Sequence, residues 1–207
     1  VGELRAGAVR AVHAVVPDGI DDPDRPSGGN AYDRRVCDGL AGTGWVVHEH
    51  PVPGPWPAPD PAARTALAGV LAGLPAGAVV LVDGLVASAA ADVLVPATAR
   101  LRVVVLLHMP LGERTPAARP GERAVLSAAA AALTTSEWCR SWLLDRYALD
   151  PARVRVARPG TDPAAPATGT ADGGELLCVA AVRPDKGHDV LLDALATLTD
   201  LTWTCRC

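Results

Sequence analysis

Three short stretches hold residue types able to handle a phosphate or a proton. The first, VRPDKGHDVLLDAL at residues 182 to 195, contains Lys186, the only lysine in a chain with 18 arginines. Lys186 and Gly187 stand where a helical pattern begins. An ammonium group there adds a formal charge to the partial positive charge of a helix N-terminus, an arrangement suited to phosphate oxygens. A cation at that end is unfavourable for the helix itself, which singles Lys186 out, although a solvated surface lysine is the plain alternative. Arg183, three residues earlier, adds a fork of donors. The second stretch, SGGN at residues 27 to 30, puts Gly28 and Gly29 before another helix start. Backbone there approaches a ligand closely and its free N–H groups favour an anion; a simple tight turn is the alternative. The third is RVVVLLHMPLG, an apolar run ending in His108. An imidazole at a strand tip donates a hydrogen bond or moves a proton near neutral pH. That position, at the tip and not inside the strand, favours function over a histidine satisfied by nearby backbone. Asp83-Gly84, at another tip, is read as a helix cap in preference to a ligand for a hydroxyl. His13 and His48 fall inside strands and are read as structural. His50 is left open.

These residues need elements that bring them together. Short Val/Leu runs alternate with longer Ala-rich amphipathic segments along most of the chain. Strands are expected over 8–16, 45–52, 78–84, 102–110, 132–136 and within 154–162. Helices are expected over 30–44, where Tyr32, Val36 and Leu40 recur at helical spacing, and from Pro61 onward behind an Asp60 cap. Further helices are expected over 85–99, over 120–131, and after a Ser136 cap. The continuous apolar runs are the mark of strands buried on both faces. The fold class that follows is α/β, a Rossmann-like parallel sheet with helices on both faces and right-handed crossovers. Ligands in such sheets sit outside the carboxyl ends of the strands, which is where Gly28, Gly29 and His108 fall.

Residues 163–174, PAAPATGTADGG, read as a linker. After it the pattern restarts, with a strand in ELLCVAAV, a helix in KGHDVLLDALATL and a strand in LTWTCRC. The expected division is an N-terminal domain over 1–162, the linker, and over 175–207 the first β-α-β of a second, similar domain. About thirty residues bury too little surface to fold alone. The expectation is therefore a fragment or truncated product of a two-domain protein.

Composition narrows the function classes. The net charge of −4 argues against a dedicated nucleic-acid binder. Residues 97–160 carry ten arginines against five acids, read as a solvated face, or more sharply as attraction to an anionic membrane surface or a phosphorylated ligand. The five cysteines, at 37, 139, 178, 205 and 207, form no CxxC pair and no metal spacing, so reduced thiols in a cytosolic protein are expected. There is no long uncharged apolar run, and the first residues lack the apolar core of a signal peptide.

Taken in order, SGGN, LLHMP, LTTSEWCRSWLL, VRVARPGTD and LLCVAAVRPDKGHDVLLDAL resemble the retaining glycosyltransferases of family 4, enzymes of GT-B architecture with two facing Rossmann-like domains. The resemblance implies a nucleotide-sugar donor held mainly by the second domain and an acceptor glycan, lipid or small metabolite resting on the first. It implies that Gly28 and Gly29 line the donor's phosphates or sugar, that His108 sits near the transferred sugar, and that Lys186 neutralises the leaving diphosphate. No cofactor and no metal are implied, because basic side chains and a helix N-terminus stabilise the departing charge. The implied location is cytoplasmic, with peripheral membrane contact open. Two departures stand out. The family's donor-site arginine aligns with Ala181, with Arg183 two positions later. The family's Glu-x7-Glu-like carboxylate pair would lie beyond Cys207, so the 207 residues alone are expected to be inactive. A non-catalytic Rossmann-like module binding a phosphorylated ligand or partner chain is the second reading. A nicotinamide-dependent oxidoreductase ranks last, since GxGxxG and its following acid are missing.

Overall fold

The computed structural model describes residues 10–24 and 26–207. The chain forms two compact units, residues 1–160 and 161–207. The first strand, β1 (Ala11–Pro17), starts later than its pattern suggests; residues 8 and 9 of that expectation lie outside the described residues. It is followed by α1 (Gly28–Gly42), β2 (Val46–Val52), α2 (Pro61–Gly73), β3 (Val79–Asp83), α3 (Gly84–Ala89) and α4 (Ala91–Ala97). The first unit continues with β4 (Arg102–Leu107), α5 (Leu111–Arg114), α6 (Arg119–Ala128), β5 (Ala131–Thr134), α7 (Glu137–Tyr147) and β6 (Val154–Val156).

All six strands are parallel, in the order β2-β1-β3-β4-β5-β6. This is the Rossmann-like α/β sheet that the alternation of apolar runs implies. Alternate side chains serve opposite faces. Val15, Val80, Val82, Val103, Val105 and Leu107 join the larger core, with Leu67 and Leu71 of α2, Leu94 of α4 and Leu143 of α7. Val12, Leu81 and Leu106 point the other way, towards Val36 and Leu40 of α1. The chain runs outward from β1 to β2, then turns back to place β3 on the other side of β1. The order therefore reverses between β1 and β3, and in such sheets ligands sit outside the carboxyl ends of the strands at that point.

Helix starts follow local side-chain chemistry. The Ser27 hydroxyl accepts from Asn30 N–H, Asp60 from Ala63 N–H and Ser136 from Cys139 N–H, each satisfying one of the free amides of a first turn. The helix expected over 85–99 is broken at Ala90, whose φ and ψ of −132° and 47° leave the helical region. Alanine fits either conformation, so the break has no sequence signal.

Behind β4, a carboxylate holds the packing together. Glu122 of α6 is fully buried. It accepts from Ser88 Oγ at 2.7 Å, Leu111 N at 2.7 Å, Gly112 N at 2.9 Å and Tyr147 Oη at 2.6 Å. One side chain thus joins α3, α5, α6 and α7. Gly112 is required beside it: a Cβ there would collide with Tyr147 Oη and lie 2.7 Å from Arg119 Cγ. Burial and the bond to Glu122 push the Tyr147 hydroxyl above its ordinary pKa, which keeps it a donor.

The second unit has β7 (Glu175–Leu177) parallel to β8 (Thr204–Arg206), with α8 (His188–Ala196) between them in sequence. Residues 163–174 form neither helix nor strand. Leu195 is buried, but Leu177, Val179 and Val182 are 75%, 85% and 86% exposed. Among the described residues no helix is long and apolar enough to cross a membrane.

Replacing Glu122 by alanine orphans its four buried or half-buried donors. The expected loss of stability is about 4 kcal/mol, with Glu122→Gln intermediate because it keeps one acceptor oxygen. Denaturant midpoints of the three proteins check this; equal midpoints would show that the donors find other partners.

Candidate functional site

The carboxyl ends of β1, β3 and β4 bring three functional side chains together around His108. Residue 108 follows directly on β4, and its carbonyl oxygen accepts from Thr135 Oγ1 at 2.9 Å, which ties the strand tip to the segment after β5. From α1, Gly29 comes so close that a Cβ on it would lie 3.1 Å from His108 Cδ2 and 3.4 Å from Nε2. Tyr32, one turn on, meets the imidazole edge-on, with ring centroids 5.2 Å apart. The Tyr32 hydroxyl donates to Ala157 O at 2.8 Å, linking α1 to the segment after β6.

Two acids complete the cluster. Asp33 of α1 is 1% exposed, and its Oδ1 lies 2.9 Å from His108 Nε2. Asp83 ends β3. Its Oδ1 accepts from Leu85 N at 2.8 Å and Val86 N at 3.2 Å, capping α3, while its Oδ2 lies 3.5 Å from His108 Nε2. The cap expected of Asp83 is present, and the same side chain also faces the imidazole. Neither oxygen of Asp33 nor His108 Nε2 has a well-aligned hydrogen bond. Charge attraction holds the group.

Burial by itself would lower the His108 pKa. The contacts with Asp33 and then Asp83 outweigh it and raise the value to about 9. Burial, opposed by His108 and assisted by Asp83, holds Asp33 above the usual carboxylate range. The imidazolium is therefore the stable form at neutral pH. It presents a fixed cation and an N–H donor, with 21% of its side chain reachable from solvent. The three ligand-type atoms lie within 4.8 Å of one another, a spacing that also suits a metal ion.

The other expected site residues fall as follows. Gly28, the first residue of α1, faces open space, where a Cβ would meet nothing within 4 Å. Gly28 and Gly29 thus have different roles: the first leaves the helix N-terminus approachable, and the second makes room for His108. In the second unit, Arg183 precedes the single turn Pro184–Lys186, and Gly187, in the left-handed region at φ 68°, caps α8. Lys186 is exposed and stands one residue before that cap. Asp33 went unnoticed in the sequence, and Tyr32 was read only as part of the apolar stripe of α1. Their only signal as site residues was a position one turn after the Gly pair, on the helix face that turns towards β4. Next to α5, a groove of about 590 Å³ is lined by Arg64, Ser88, Asp92, Leu111, Thr115 and their neighbours.

No family model matches the sequence, and no curated protein does. Among solved structures, the fold is similar to that of a glycosyltransferase from Rickettsia africae ESF-5, with a TM-score of 0.60 and 14% identity. The match covers 95% of this chain and 59% of that one, so this chain spans about three-fifths of the length of the glycosyltransferase it matches. At that identity the likeness establishes the fold.

The His108 pKa is about 9 in the folded chain against an ordinary 6.5. Its stabilising contribution is complete below pH 6.5 and is lost as the pH rises through 9. Imidazole NMR should find its midpoint near 9. Asp33→Asn should lower that midpoint by at least about one unit. Stability measured across the same pH range should fall in the native chain and flatten in His108→Gln. A native midpoint at or below 6.5 would mean that the acids do not hold the proton.

Proposed function

We propose that this chain carries the acceptor-side domain and the first donor-side unit of a glycosyltransferase of GT-B architecture, of the family 4 type. The reaction is transfer of a sugar from a nucleotide-sugar donor to a hydroxyl of a glycan, lipid or small metabolite, with retention at the anomeric carbon. The observation that carries this reading is the imidazolium of His108, held by Asp33 and Asp83 where the strand order reverses. The likeness in fold to a glycosyltransferase supports it.

In this reading His108 donates its N–H to a hydroxyl of the transferred sugar and fixes the ring's orientation. The approachable N-terminus of α1 at Gly28 offers backbone N–H groups to the leaving diphosphate. In the second unit, Lys186 and Arg183 offer positive charge to a diphosphate. In the first unit, His108 is itself the cation between the two acids. The acceptor lies along the groove beside α5, where the Arg64–Asp92 ion pair and Thr115 line the wall. The enzyme is cytoplasmic, and the arginine-rich 97–160 region permits contact with an anionic membrane face. A nucleoside-binding carboxylate pair is not among these residues, so this chain alone binds donor weakly and does not turn it over.

Saturation-transfer NMR with UDP- and GDP-sugars tests the reading. Expected are contacts to the sugar and diphosphate, weakened at least about tenfold in Lys186→Ala and in His108→Gln, since each removes a charge-assisted bond. No binding of any nucleotide sugar, or affinity unchanged in both variants, overturns it. Turnover by the 207-residue chain would refute the stated inactivity, and an inverted product from any active form would refute retention.

A further inference from the structure

Away from the carboxyl-end site, three of the chain's five histidines meet on the first two strands. His13 is the third residue of β1, and His48 lies opposite it in the parallel register of β2. His50, two residues further along β2, projects to the same face as His48. His13 Nδ1 is 2.9 Å from His50 Nε2. The His13 ring stacks on both neighbours, with centroids 4.9 Å from His48 and 5.2 Å from His50 and interplanar angles of 21° and 29°. His48 is exposed; the other two are half-buried. Their row shares its face with Val15 and Val80, and β2 is an edge strand of the sheet.

We propose that His13, His48 and His50 form a binding site for a borderline divalent transition-metal ion such as Zn²⁺, Ni²⁺ or Cu²⁺. Neutral imidazole is the ligand form, and this pair is already biased to it. Burial, then the neighbouring imidazole of His48, lowers the pKa of His13; burial, then His13 and His48, lowers that of His50. Two nitrogens bound to one metal at about 2.0–2.1 Å in tetrahedral geometry stand about 3.3 Å apart. The observed 2.9 Å pair needs to open by only a few tenths of an ångström. The proton shared between the two nitrogens moves to the outer nitrogen of one ring as the tautomer changes, so the pair loses no net proton. His48, exposed and stacked rather than bonded, supplies the third nitrogen by rotating its side chain, a change between staggered rotamers. Water completes the shell. An all-imidazole set selects borderline transition ions and disfavours Mg²⁺ and Ca²⁺, which require oxygen ligands. The bound ion ties edge strand β2 to β1 by side chains as well as by backbone.

Calorimetric titration of the chain with Zn²⁺, Ni²⁺, Cu²⁺, Mg²⁺ and Ca²⁺ tests the site, with Cu²⁺ electron paramagnetic resonance as an independent readout. Expected are one-to-one binding of the three transition ions with Cu²⁺ tightest, no binding of Mg²⁺ or Ca²⁺, and nitrogen hyperfine structure from imidazoles. His13→Ala and His50→Ala should each weaken binding at least about tenfold, and the surface variant His48→Ala, which leaves the core untouched, should weaken it measurably. Three results overturn the proposal: no transition-ion binding, affinity unchanged in the three single variants, or binding that survives their combination and is lost in His108→Gln. The last would place the ion at the Asp33, Asp83 and His108 cluster instead.

Discussion

Two buried acids facing one another at the carboxyl ends of a parallel sheet need a cation between them. Asp33 and Asp83 are almost wholly buried, and an isolated charge in such a place is costly unless it is paired. His108 supplies the pairing, and the arrangement constrains its surroundings. Asp83 has to end β3 so that one oxygen caps α3 while the other turns to the imidazole. Asp33 has to lie one turn into α1. A side chain at Gly29 would press on the ring, which would have to shift by a few tenths of an ångström. The parallel sheet delivers all of these to one place because its strand order reverses between β1 and β3.

A charge cluster directs chemistry only if its frame does not yield. The chain after β4 could swing with the loop that bears His108, but two of its backbone amides, at Leu111 and Gly112, are held by Glu122. Glu122 is in turn held by Ser88 of α3, the helix that Asp83 caps. The two buried acid systems therefore share α3. One fixes its first turn against His108, and the other fixes its far side against the segment following His108. Tyr32 adds a third tie through Ala157 beyond β6. Movement of His108 would have to loosen several of these contacts at once.

Some of this was legible in the sequence. Val79–Asp83 and Arg102–Leu107 are short apolar runs with abrupt polar ends, so the strands and their functional tips are visible in one dimension. The caps at Asp60, Asp83 and Ser136 are visible for the same reason, since capping is local chemistry; the cap at Ser27 was not read, because the helix was expected to start at residue 30 and starts at Gly28. Asp33 and Glu122 were not. Each is an acid on an amphipathic helix, where solvent exposure is the ordinary expectation. Only the strand order shows that Asp33 turns inward to His108, and only the packing of α3, α5 and α7 shows that four donors converge on Glu122. The break at Ala90 was hidden because a run of alanines suits every local conformation. Gly28 and Gly29 looked equivalent, and the sheet gave them different neighbours.

The histidines show the limit of residue type as a guide. His108 and His13 both lie where burial lowers their pKa, yet one ends far above the ordinary value and the other below it. The difference is the neighbour. Two carboxylates beside His108 favour the proton; the imidazole of His48 beside His13 opposes it. Opposite chemistry follows from the same ring. An imidazole protonated at neutral pH between two acids serves as a hydrogen-bond donor, whereas neutral stacked imidazoles are metal ligands and hold no charge for a phosphate. Position in a strand was the criterion that set His108 apart and passed over His13. It could not assign them chemistry, because on parallel strands the neighbour that sets the proton lies across the sheet and distant in sequence.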